Sequence, residues 1–151
     1  MADCKITYSQ GKGFWISETF MQLVLHYIYE ELVKPQYTLP NKALFLEDMD
    51  FKINGHADGY MTLGWGNFIQ TNTDVQTMTQ VLQNTKTYLQ NQGGHLSLQQ
   101  LREVDTEDTT FKYMLEKKPF PTSELIKVLE ALLQMLAGTW NTTSFDMSLN
   151  Y

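Results

Sequence analysis

Residues 122–138 read TSELIKVLEALLQMLAG. Leu125, Ile126, Val128, Leu129, Leu132, Leu133, Met135 and Leu136 recur at three- and four-residue steps and cover much of a helix's circumference. That pattern marks a helix buried at the centre of a core. Pro119 and Pro121 keep the preceding chain out of helical conformation, Thr122 or Ser123 supplies a capping hydroxyl, and Gly138 supplies the stop.

Working outward, the same periodicity returns several times. Val75, Met78, Val81, Leu82, Tyr88 and Leu89 predict a helix over 74–91, ended by Gly93-Gly94 and wet on a face of Gln, Thr and Asn. Ser97-Leu98-Gln99-Gln100 matches a capping box and predicts a short helix to about Val104. Residues 110–115 read equally as helix or strand. Near the start, Phe20, Leu23, Val24, Tyr27, Ile28 and Leu32 predict a helix from the Ser17 cap to about Lys34, where Pro35 prevents continuation. Leu44, Phe45, Met49 and Ile53 predict a second, with those four side chains on a shared face, ended by Asn54-Gly55. The opening residues read as strand or coil, and residues 55–72, with four glycines among aromatics, as a structured loop or short extended pieces. The expected fold is all-α or mostly α: one compact bundle of five or six helices over 1–151, with a Gly/aromatic-rich loop and no repeat or linker.

A chain of 151 residues with 42% hydrophobic and 13% aromatic residues is long and apolar enough to bury one core. Eleven basic against 17 acidic side chains give a formal charge of -6. That sign disfavours a nucleic-acid or anionic-membrane ligand and suits a basic protein partner. Cys4 is the single cysteine, so neither an internal disulfide nor an all-cysteine zinc cage forms. The polar N-terminus lacks a signal-peptide run, no stretch is long enough for a membrane span, and a cytoplasmic location is expected.

Several residues raise the question of catalysis. His26 and Glu30 are spaced to reach one metal from one helix. His56-Ala57-Asp58 with His95 imitates a two-histidine, one-carboxylate iron site. A small metal-dependent enzyme built from these five residues is the alternative reading, although each fits an ordinary surface or turn role. No Gly-x-Ser-x-Gly elbow or complete phosphate loop accompanies them. Acidic residues cluster twice, as Glu47, Asp48 and Asp50 and as Asp105, Glu107 and Asp108, in polar settings that suit helix ends or a charged rim. Tyr60 and Trp65, among glycines, suit either a core or an interface anchor.

The Phe14-Trp15 lead into an amphipathic helix, and the Lys118-Pro119-Phe120-Pro121 break before Glu124-Leu125-Ile126-Lys127-Val128-Leu129, resemble the small acidic immunity proteins of bacterial polymorphic-toxin and contact-dependent inhibition systems. The resemblance implies a cytoplasmic, non-catalytic protein without cofactor or metal, which binds a basic toxin domain and occludes its active site. The expected interface is then a rim of Glu47, Asp48, Asp50, Asp105, Glu107 and Asp108 with Tyr60 and Trp65 as anchors.

Overall fold

The computed structural model describes residues 3–57 and 60–151. The chain opens with a hairpin, β1 (Asp3–Thr7) and β2 (Gly13–Ser17), in which Cys4 pairs with Ile16 and Ile6 with Phe14. These four alternate side chains form the buried face of the sheet. At the turn Gln10 and Gly11 both take positive φ, and the Lys12 N–H closes the turn on the Ser9 carbonyl at 3.0 Å. Gly13 admits no side chain, because a Cβ there would stand 1.7 Å from the Ile6 carbonyl oxygen.

Ser17 then stands at the N-cap position of α1 (Glu18–Leu32), followed by α2 (Lys42–Ile53). The two run antiparallel. Lys42 Nζ donates to the Lys34 carbonyl at one end, and Gln22 Nε2 to the Ile53 carbonyl at the other. Next come β3 (Tyr60–Thr62), α3 (Trp65–Phe68), α4 (Asn72–Gln90), β4 (His95–Leu96) and α5 (Leu98–Arg102). The chain finishes with α6 (Thr109–Leu115), β5 (Phe120–Pro121), α7 (Thr122–Ala137) and β6 (Phe145–Asp146). β3 joins β1 and β6 joins β2, both in parallel, giving a four-stranded sheet ordered β3-β1-β2-β6, and β4 pairs with β5.

The molecule is therefore mostly helical, but not the expected bundle of five or six helices: the described residues hold seven helices and six strands. β3 and β6 are two to three residues long and pair with partners far away in sequence, so no local alternation announces them. α6 settles as helix because Asp108 Oδ1 accepts from the free N–H groups of Thr110 and Phe111. At α7 the cap position belongs to Pro121, and Thr122 instead ties the helix start to the glycine turn. Its hydroxyl donates to the Gly93 carbonyl at 2.8 Å and its N–H to that of Gly94 at 3.0 Å.

The most enclosed helix is α1, which touches α2, α4, α6 and α7. Its polar Thr19, Gln22 and Glu31 are buried along with its apolar face. That burial is permitted because Gln22 and Glu31 find hydrogen-bond partners. α7 lies beside α4, with Leu125, Val128, Leu129 and Leu132 fully buried and Ile126 and Leu133 only partly so. The tail is anchored: the Trp140 indole donates to the Gly13 carbonyl and packs edge-on against Phe14, while Tyr151 stacks on Phe120.

Candidate functional site

α2 carries apolar side chains on two faces. Phe45, Met49 and Ile53 enter the core, whereas Leu44 and Phe51, two turns apart on the opposite stripe, are 56% and 52% exposed. Leu44 thus leaves the buried face that the sequence reading gave it. A one-residue offset from Phe45 rotates it about 100° around the axis, away from the core stripe. Glu47 lies between Leu44 and Phe51, Asp50 is exposed beside them, and Asp48 holds Lys52 at 2.6 Å. The His56 ring packs on Phe51 at 5.2 Å between centroids.

The second acidic cluster docks on the end of this helix. Thr106 donates its hydroxyl to the Ile53 carbonyl at 2.8 Å, and the Glu107 N–H donates to Asn54 Oδ1 at 2.8 Å. Asn54 Nδ2 in turn donates to the Asp50 carbonyl. Asp108 accepts from Gln22 Nε2 at 2.9 Å through one carboxylate oxygen and caps α6 through the other. Gly55 makes the approach possible. It adopts φ +80, and a Cβ there would stand 2.3 Å from Asp108 Oδ2.

The structure therefore docks the loop of the second cluster on the C-terminal end of α2, which carries the first, and divides the roles of their residues. Glu47, Asp50, Asp105 and Glu107 are exposed, while Asp48 is committed to Lys52 and Asp108 to Gln22 and the α6 cap. Trp65 is no surface anchor. It is 1% exposed and packs edge-on against Tyr8, because α3 turns its first side chain inward. The backbone of Tyr60 pairs with Lys5 in β3, and its side chain lies outside what the structure describes. Phe51 was missed in the sequence; the available signal was its place off the Phe45–Met49–Ile53 stripe.

The residues of the metal-enzyme reading are dispersed. His26 and Glu30 line a cleft beside α4 and α5, His56 packs on Phe51 after α2, and His95 is exposed on β4; Asp58 lies outside the described residues. Among the described residues no three His, Cys, Asp or Glu side chains are grouped to hold a metal ion. Burial, reinforced by the charges of Glu18 and Asp3, pushes the Cys4 thiol up to about 12, so its nucleophilic form is scarce at neutral pH.

Compared with known proteins, the chain matches no family model, no curated protein and no solved structure. Among the described residues no helix is long and apolar enough to cross a membrane.

Proposed function

We propose that this chain is a non-catalytic protein-binding module that meets a basic partner through the outer face of α2 and the 105–108 loop. We assign the partner as a toxin domain that the chain neutralises, as an immunity protein does, by covering its active site. The supporting observation is the junction at Asn54, where the loop of the second acidic cluster docks on the end of the helix that carries the first and that exposes Leu44 and Phe51. Exposed apolar side chains supply the area that gains free energy when water is expelled, and carboxylates around them steer a basic partner and reject acidic ones.

The test uses the purified toxin domain encoded beside this chain's gene. Association in the nanomolar range or tighter is expected, weakening about tenfold or more as salt rises from low to several-hundred-millimolar concentration. Glu47→Lys combined with Asp50→Lys and Glu107→Lys slows association. Phe51→Ser speeds dissociation while changing folding stability by only about 0.5 kcal/mol or less, because the ring is already half in water. Salt-independent binding, or full affinity in both variants, removes this surface from the reading. A stoichiometric metal in protein purified without chelators, lost in His56→Ala, overturns the binding-only reading and favours the metal-dependent alternative.

A further inference from the structure

A second feature lies away from α2. α1, α4 and α5 enclose a cleft of about 380 Å³, within the size range of small-ligand sites. Its floor is Tyr27, 7% exposed, whose hydroxyl has no hydrogen-bond partner among the described residues although it lies in the field of Glu30, Glu103 and Tyr88. That hydroxyl is not sealed from solvent, so it is left free to bond a ligand that enters the cleft. Tyr88, 46% exposed, forms the facing wall, its ring 5.9 Å from that of Tyr27 and tilted 32°. Glu30 on α1 and Glu103 at the C-cap of α5 also line the cleft, and Asp105 adds its charge from the adjoining loop.

The cations and donors already present are committed. Lys34 pairs with Glu31 at 3.0 Å, and Glu31 also accepts from the Tyr37 hydroxyl, which Asn84 bonds in turn. Gln100 is held by the Ser97 N–H and by Gln92, and Thr85 donates to the Val81 carbonyl. Burial holds His26 below the ordinary histidine range against the pull of Glu30 and Asp105, so it brings no positive charge at neutral pH. What remains is two carboxylates, of which Glu103 also accepts from Gln99 Nε2 at 3.1 Å, and an aromatic wall around a hydroxyl, with no cation paired to either glutamate among the described residues.

We infer that this cleft binds a guanidinium group. A planar cation with donors around its rim stacks on a tyrosine face while bonding two carboxylates, which a spherical ammonium or a neutral urea does less well. The group arrives either on a small alkylguanidine or as an arginine side chain of a polypeptide. The cleft is distinct from the α2 face, since no residue of α2 lines it, and Asp105 alone contributes to both.

The full chain is titrated with agmatine, with N-acetyl-argininamide, with its neutral citrulline counterpart and with N-acetyl-lysinamide, while side-chain resonances of His26, Tyr27 and Tyr88 are followed. Both guanidines are expected to shift them saturably, with the citrulline and lysine compounds weaker by about tenfold or more, and Glu30→Gln with Glu103→Gln weakening both guanidines to a similar extent. Both glutamates are exposed, so the double variant folds. Agmatine binding well above N-acetyl-argininamide assigns a free alkylguanidine; comparable binding assigns a polypeptide side chain. Equal binding of the citrulline or lysine compound, unchanged affinity in the double variant, or no shift with either guanidine overturns the inference. No toxin partner enters the measurement, so this failure and failure of the α2 reading are separate results.

Discussion

Single residues decide whether the loop of the second acidic cluster docks on α2. Gly55 is the sharpest case, since its positive φ disfavours any side chain and the space a methyl would need is occupied by the Asp108 carboxylate. Gly55→Ala is expected to cost about 1–3 kcal/mol in urea denaturation and to release amide protection at Glu107, whose N–H bonds Asn54. A variant with unchanged midpoint and protection would mean that the loop is not held there. His26 sets a pH dependence. Its proton affinity is lowered in the folded state, so above its ordinary value of 6.5 it is neutral folded or unfolded and costs nothing. As pH falls below that value the unfolded chain takes up the proton first, and stability declines until folded His26 also protonates. His26→Gln should flatten the decline in urea midpoint between about pH 7 and about pH 5; an identical slope in both proteins would assign it to other groups.

At the scale of the element, end chemistry was more legible than pairing. The Ser97–Gln100 capping box predicted from four letters is present in both directions, Gln100 N–H to Ser97 Oγ and Ser97 N–H to Gln100 Oε1. α4 has another that went unread: Thr71 Oγ1 accepts from the Asp74 N–H, and Asp74 Oδ2 accepts from those of Gln70 and Thr71. Those bonds hold the Asp74 carboxyl below its usual range despite the burial that opposes them. Thr71→Ala should lower stability by about 1 kcal/mol, seen as a lower denaturant midpoint with an unchanged slope. An unaltered midpoint would show that Asp74 alone suffices to hold the α4 start. In α2, Asn54-Gly55 marked the end, but the division of Leu44 from Phe45 depended on which side met α1.

Across the whole molecule, sheet and helices share one buried cluster that runs from Cys4 and Phe14 through α1 to α7 and Met147. Loss of the sheet would expose the inner side of α1, so the two layers should unfold together. Near-ultraviolet signals from Trp65 and Trp140 and far-ultraviolet signals from the helices are expected to give coincident transitions; separated midpoints would make the sheet an independent unit. The long helices, the acid excess and both acidic clusters were determined by the sequence itself, because three- and four-residue periodicity, end-capping and charge are local properties of a chain. Only the tertiary structure decided that the opening residues form a mixed sheet, that Trp65 turns inward, that Leu44 and Phe51 turn outward, and that residues 105–108 meet Asn54. Each of those outcomes depends on which distant segment arrives at a position, and short strands, hydrogen bonds across some fifty residues and the choice of a helix's buried side leave no repeating mark in sequence.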